Sequence, residues 1–195
     1  MAQPQPTHPA IRDIHDFRVW LHGQEGRFEL VDGRIVAMAG ASRVHNDIQI
    51  NLILALGARL RGGPCRVNGP DLLVRTAESG RRGRLPDASV TCEPEDDPYL
   101  VTRPVVLFEI LSPETEARDR GEKWQEYQTL PSLQHYVLIA QDHVRIEHYR
   151  RVEDGWHYQE LLGQDALLRL DPPGVELRVG DLYEGVALTG QAASS

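Results

Sequence analysis

The most apolar stretch of the chain, Val105-Val106-Leu107-Phe108-Glu109-Ile110-Leu111, is short, rich in β-branched side chains and interrupted by a single carboxylate. A run of that kind reads as a strand buried on both faces of a sheet. The fold class that follows is α/β (α+β): a central mixed sheet flanked by helices. An unpaired ionised carboxylate inside such a strand would cost on the order of several kcal/mol, so Glu109 must either neutralise or meet a cation.

Two further residues stand in the right places to answer Glu109. Asp87 falls in an earlier candidate strand, Arg84-Leu85-Pro86-Asp87-Ala88-Ser89-Val90, and Lys123 falls in a helix expected after Glu109. If the two strands are neighbours, the two acids converge at one end of the sheet, within one metal-binding distance, with the lysine beside them. Magnesium suits such a pair, because it takes oxygen ligands, often one or two carboxylates, and keeps several waters. The alternative is a buried ion pair between Lys123 and one acid, with Asp87 in an ordinary turn.

The rest of the chain supplies the frame. Residues 11–22 have an imperfect apolar stripe and read as a short helix. Phe28 to Val36 reads as a hairpin turning at Asp32-Gly33. Ser42 is placed to cap a helix over roughly 43–60, where Ile48, Leu52, Ala55, Leu56 and Leu60 keep helical spacing. Short strands follow at 65–67 and 71–75. After Glu109, Ser112-Pro113-Glu114 resembles a cap, a first-turn proline and an acid facing the helix dipole. That helix starts there or near Ala117 and runs to about Leu130, ahead of Pro131. Strands at 135–140, 144–149, 156–162 and 166–170 form an added antiparallel group toward the C-terminus, with a short turn or helix at 180–183.

At 195 residues the chain suits one domain with a sizeable core. Its bounds are expected at 11–188, with a loose arm at 1–10 and a frayed end at 189–195. No apolar run approaches the ~20 residues that span a bilayer. The N-terminus has neither the basic start nor the apolar stretch of a secretory signal. The expected location is the cytoplasm, where Cys65 and Cys92, which form no CxxC pair, would be reduced thiols. The formal net charge of −8 runs against a tight, non-specific DNA binder, which usually presents a basic face. Arg59 and Arg61, Arg81-Arg82 with Arg84, and Arg150-Arg151 either line one groove or are scattered solvated charges.

Several motifs together resemble a known family. Phe28-Glu29-Leu30-Val31-Asp32-Gly33-Arg34-Ile35, the helix carrying His45, Leu85-Pro86-Asp87, Phe108-Glu109-Ile110-Leu111-Ser112-Pro113, Lys123 with Tyr127, and His135-Tyr136-Val137-Leu138-Ile139 stand in the order of the Uma-type family of restriction-endonuclease-like proteins, within the PD-(D/E)XK nuclease superfamily. The likeness covers about residues 14–185. It implies a restriction-endonuclease-like fold and magnesium-dependent hydrolysis of DNA phosphodiester bonds, with manganese as a substitute ion. Asp87 and Glu109 match the motif acids, with the Ile110 carbonyl as a third metal contact. Where the superfamily motif has its strand lysine, two residues after Glu109, this chain has Leu111. The family supplies its lysine from the following helix, and Lys123 fits that position. His45 matches a histidine common in the family, as a ligand, a water holder or simply a capping residue.

Cutting both strands of a duplex is simplest with two related sites, so a homodimer is expected, with Trp156 and Tyr158 as candidate contacts. The rival reading is a catalytically inactive nuclease-fold module acting through protein or nucleic-acid contacts. Among lesser candidates, Glu29 either joins the acid cluster or is an ordinary hairpin carboxylate, Asp71 opens a strand and lies either near the site or apart from it, and Ser112 reads as a helix cap. The eight histidines show no HExxH spacing.

Overall fold

Asp13 begins the first helix, its carboxylate accepting the His15 and Asp16 amides at 2.9 and 3.0 Å, as a short polar side chain does at a helix start. This is α1, Ile14–Leu21, which buries Ile14 and Phe17. The computed structural model describes residues 11–188, so the expected arm at 1–10 and the expected frayed end at 189–195 lie outside the described residues. The hairpin is present: β1 (Phe28–Val31) pairs antiparallel with β2 (Arg34–Ala37). Asp32 (φ 51°) and Gly33 (φ 79°) both adopt the left-handed backbone that such a two-residue turn demands. Ser42 Oγ accepts the His45 amide at 3.1 Å and starts α2, Arg43–Leu60, whose buried stripe is Ile48, Leu52, Leu56 and Leu60.

Short strands follow: β3 (Arg66–Asn68), β4 (Leu73–Arg75), β5 (Gly83–Arg84), β6 (Ala88–Thr91) and β7 (Leu100–Val101). The longer ones are β8 (Pro104–Leu111), β9 (His135–Ala140), β10 (Arg145–Val152) and β11 (Gly155–Leu162). They divide into two sheets. One has the order β2-β1-β5-β4-β7, the other β11-β10-β9-β8-β6-β3. The second is the mixed sheet expected at the centre, with β8 parallel to β9 and antiparallel to β6.

The division corrects the strand expected over 84–90. Arg84 ends β5 in the smaller sheet, Ala88 opens β6 in the larger one, and Leu85-Pro86-Asp87 cross between them. Pro86 has no amide hydrogen to donate to a ladder, so the strand breaks there. Asp87 therefore sits in a bend, not at a strand position.

The apolar run of β8 is buried on both faces. Val106, Phe108 and Ile110 pack with Ile48, Leu52 and Leu56 of α2, while Leu107 and Leu111 pack with Tyr127, Leu130, Leu133 and Tyr136. Each such side chain contributes about 1.5–3 kcal/mol by leaving water, so together they outweigh the burden of one buried acid. Alternation along the strand sends Glu109 to the Leu107 side.

The segment after β8 is helical but not uniform. It consists of α3 (Glu116–Arg118), a π-helical turn at Asp119–Lys123, and α4 (Trp124–Tyr127). The single helix expected from Ser112 or Ala117 to about Leu130 thus starts at Glu116, ends at Tyr127 and carries a widened turn, a feature that recurs at functional sites. Thr115, not Ser112, occupies its cap position; Ser112 Oγ lies 3.1 Å from Thr115 Oγ1.

Toward the C-terminus, β12 (Leu167–Leu170) and β13 (Val175–Arg178) form a separate antiparallel pair. Leu168, Leu170, Val175 and Leu177 join the α2 side of the core. A 3-10 turn at Val179–Tyr183 follows.

Cys65 and Cys92 depart from the expectation of free thiols. They are joined as a disulfide across a separation of 27 residues. The antiparallel register puts Arg66 opposite Thr91, which leaves these two cysteines facing each other one step further along. A pairing set by sheet register has no local sequence signature. Among the described residues, no helix is long and apolar enough to cross a membrane.

Candidate active site

A cavity of about 360 Å³ opens where the end of β8, the 85–87 crossing, the start of α2 and the π-helical turn meet. His45, Asp87, Glu109, Ile110, Asp119 and Lys123 all line it. The five residues singled out from the sequence are thus brought together, and Asp119 joins them.

Asp87 is held from three directions. Its Oδ2 accepts the Ile110 amide at 2.7 Å, and its own amide donates to the Phe108 carbonyl at 3.0 Å. The bend therefore grips β8 at the point where Glu109 projects. His45 Nε2 lies 2.9 Å from Asp87 Oδ1, and the Gln49 amide donates to the Asp87 carbonyl at 3.0 Å. His45 and Gln49 lie four apart on α2, so one helix face supplies both.

Glu109 is 3% exposed and Lys123 2%. The Lys123 ammonium stands 2.9 Å from Glu109 Oε1, and the Tyr127 hydroxyl donates to the same oxygen at 2.9 Å. Both contacts fall on Oε1, leaving Oε2 for a further partner. Burial pushes the Glu109 carboxyl well above the ordinary range; Lys123 opposes that shift, and Asp119 and Asp87 reinforce it. Burial also disfavours the ammonium, but Glu109, Glu29 and Asp119 outweigh it and hold the Lys123 pKa above its ordinary value. Lys123 is therefore a permanent cation in this site.

Sequence reasoning passed over Asp119. It is 1% exposed, and its Oδ1 sits 3.0 Å from Lys123 Nζ without a hydrogen bond of good direction to any group. The available signal was its four-residue spacing from Lys123, which puts the two on one helical face.

Glu29 is more than a hairpin carboxylate. It is fully buried, its Oε1 accepts the Leu85 amide at 3.2 Å and lies 3.8 Å from Lys123 Nζ. Its Oε2 accepts from Arg84 at 3.0 Å. Burial alone would raise its pKa, but Lys123, Arg84 and the Leu85 amide hold it below the usual carboxylate range. Arg84, itself fully buried, also pairs with Glu122 at 2.5 Å and with Glu126. A charged network thus runs from the smaller sheet to the lysine of the cavity.

The remaining candidates lie elsewhere. Asp71 is 90% exposed, 3.9 Å from Arg27 Nε, and does not line the cavity. Of the basic clusters, Arg84 is buried, Arg82 pairs with Asp32, and Arg151 donates to the Gln128, Leu130 and Leu133 carbonyls. Trp156 meets Trp124 edge-on in the molecule's own aromatic cluster, whereas Tyr158 remains half exposed.

The chain matches, over residues 14–180, the model of the Uma2 family, described as "Putative restriction endonuclease". Two proteins of Synechocystis sp., slr1290 and sll1609, are each 34% identical to it. The first alignment covers 88% of this chain and 91% of that relative, the second 71% and 80%. The crystal structure of a "putative nuclease belonging to DUF820" from Anabaena variabilis superposes with a TM-score of 0.73 at 19% identity, covering 90% of this chain and 99% of that one. At that identity the likeness shows the fold alone, which is restriction-endonuclease-like.

Proposed function

This chain belongs to the Uma2 family, and on that premise we propose that it is a magnesium-dependent endonuclease that hydrolyses phosphodiester bonds in DNA. The observation that carries the proposal is the buried lysine and its acids: Lys123 between Glu109 and Asp119, in the same cavity as Asp87. A purely structural ion pair needs one acid. This ammonium faces three, counting Glu29.

The donor set fits magnesium. Among the described residues, no three His, Cys, Asp or Glu side chains stand together as a ready-made metal cluster. The carboxylates of Asp87 and Glu109 and the Ile110 carbonyl are nonetheless oxygen donors of the kind magnesium takes alongside several waters, with manganese as a substitute. Asp87, Glu109 and the Ile110 carbonyl would hold the ion. When bound, such an ion acts as a Lewis acid on a phosphoryl oxygen and lowers the pKa of a coordinated water.

The chain's own residues do the rest. Lys123 orients the attacking water and stabilises charge developing on the phosphoryl group. Tyr127 and Lys123 fix the Glu109 carboxyl from one side, so its rotamer is set before substrate arrives. His45 and Gln49 do the same for Asp87. Water adds to phosphorus, one phosphorus–oxygen ester bond breaks, and a phosphomonoester and an alcohol leave.

Calorimetric titration with manganese tests the ligand set: Asp87→Ala should abolish the binding seen in the wild type, and unchanged binding would count against it. A homodimer is part of the same proposal, because two related sites cut a duplex simply. The net charge of −8 favours a second reading, a nuclease-fold module that binds partners without cutting; it predicts binding of the ion with DNA left intact.

A further inference from the structure

Arginines that leave water in this protein nearly always meet acceptors. Arg84 meets Glu29, Glu122 and Glu126; Arg120 meets Glu116 and Glu147; Arg151 meets three backbone carbonyls. Arg118 is different. Its side chain makes no hydrogen bond or ion pair among the described residues, and its Nε is buried without a partner. It lines the cavity described above, one residue before Asp119. Arg27 lines the same cavity and also has a buried, unpartnered Nε. Its Nη2 donates to the Pro70 carbonyl at 2.7 Å, and its nearest acid, the exposed Asp71, is 3.9 Å from Nε.

A guanidinium carries five donors in a fixed fork that matches two oxygens of a phosphate. A buried donor left unpaired is costly, so an unpaired guanidinium beside a cavity is placed to meet an acceptor that enters it. The cavity needs such cations. Asp87, Glu109, Glu114 and Asp119 line it, and an approaching phosphodiester is itself an anion. Lys123 does not meet that need alone, because its ammonium is already engaged with Glu109 at 2.9 Å and Asp119 at 3.0 Å. Arg145 has an unpartnered Nε too, but it pairs with Glu147 and Glu160 and lies outside this cavity.

We infer that Arg118 and Arg27 are the phosphate-binding residues of this site, gripping backbone phosphates of the DNA strand seated in the cavity. The inference rests on the nuclease reading above, but it concerns binding and does not require that the bond be cut.

Binding of a fluorescently labelled DNA duplex, followed by anisotropy over a series of salt concentrations, tests it. Chelator in one set of titrations prevents cleavage, and calcium in a second supplies a divalent ion. Each neutralised phosphate contributes about −0.9 to the slope of log K against log salt. Arg118→Ala and Arg27→Ala should each shallow the slope by about one and weaken binding evenly across unrelated sequences; the double variant should lose about two. Arg118→Lys keeps the charge and should keep most of the slope while losing affinity with the fork. Arg169→Ala, at an exposed ion pair with Glu176 on β12 and β13, should change neither. Because Arg118 holds no other group, its variants should keep the wild-type circular dichroism and melting midpoint. A folded Arg118→Ala with wild-type slope and affinity would overturn the inference and leave the nuclease reading standing. A wild type that binds no duplex, with chelator or with calcium, would overturn both.

Discussion

Lys123 Nζ stands 2.9 Å from Glu109 Oε1, and both residues are almost wholly buried, yet they come from a π-helical turn and a central strand that share no sequence motif. The pair joins a packing requirement to a chemical one. Glu109 as a carboxylate needs a cation inside the sheet, and a cation beside an acid in the wall of a cavity is what the proposed action on phosphate calls for.

Removing the ammonium should therefore cost stability as well as turnover. Lys123→Ala leaves Glu109, Asp119 and Glu29 buried without their shared cation, and breaking a buried pair typically costs about 3–5 kcal/mol. Urea denaturation reads the loss directly. Manganese titration of the same variant, at low temperature where it stays folded, should still show binding, because an ammonium is not a ligand.

Glu109→Gln should separate chemistry from folding in the opposite sense. Burial already pushes the Glu109 carboxyl toward its neutral form, so an amide of the same shape should change the unfolding free energy by less than about 1 kcal/mol, within the range of mild substitutions. Loss of the carboxylate proposed to hold the ion should lower cleavage by roughly a hundredfold or more. Circular dichroism melts beside a cleavage assay check both halves; a large drop in melting midpoint would assign Glu109 a structural role.

An acid-labile element lies on the far side of the larger sheet. His135 Nδ1 and His148 Nε2 are 2.9 Å apart, the Asp171 amide donates to His135 Nε2 at 3.0 Å, and Gln159 bonds His148 Nδ1 at 3.0 Å. Burial lowers His135 to about 4, and burial together with its partner His135 lowers His148 to about 3. An unfolded chain protonates both near 6.5, so between those values it binds more protons than the folded protein. The contribution to stability is therefore complete above about pH 6.5 and declines as pH falls toward 4. Urea midpoints measured from neutral to acid pH should show this slope, and a His135→Gln, His148→Gln double variant should flatten it.

Tyr158 on the edge strand β11 is exposed, and with Trp156 it is where a two-fold contact between chains is proposed. Light scattering at micromolar concentration should report a dimer, and Tyr158→Glu should shift it to monomer. Trp156 also packs against Trp124 and beneath the Arg151 guanidinium.

Much of the fold was readable because local chemistry settled it. The Ser42 cap and the four-residue steps from Ile48 to Leu60 define α2; Asp32-Gly33 defines the first turn; the β8 run defines the central strand. What escaped were features set by tertiary geometry. The break at Leu85-Pro86-Asp87 depends on which sheet each half joins. The Cys65–Cys92 bond depends on strand register, and β13 has too little apolar length to stand out. In the site, Asp87, Glu109, Lys123 and His45 do line one cavity. Asp119 and Arg118 were not singled out for it, because a carboxylate or guanidinium on a surface and one turned into a cavity look the same in sequence.

The central claim is that this cavity cuts DNA with a divalent ion, and cleavage of plasmid and duplex DNA by the purified protein at low ionic strength tests it most directly, since weak, salt-sensitive binding is expected of an acidic protein. The wild type should cut with magnesium or manganese and stop in chelator, while Asp87→Ala and Glu109→Ala should each fall by roughly a hundredfold or more. Protein that takes up the ion yet leaves single-stranded, duplex and branched DNA intact would contradict the account.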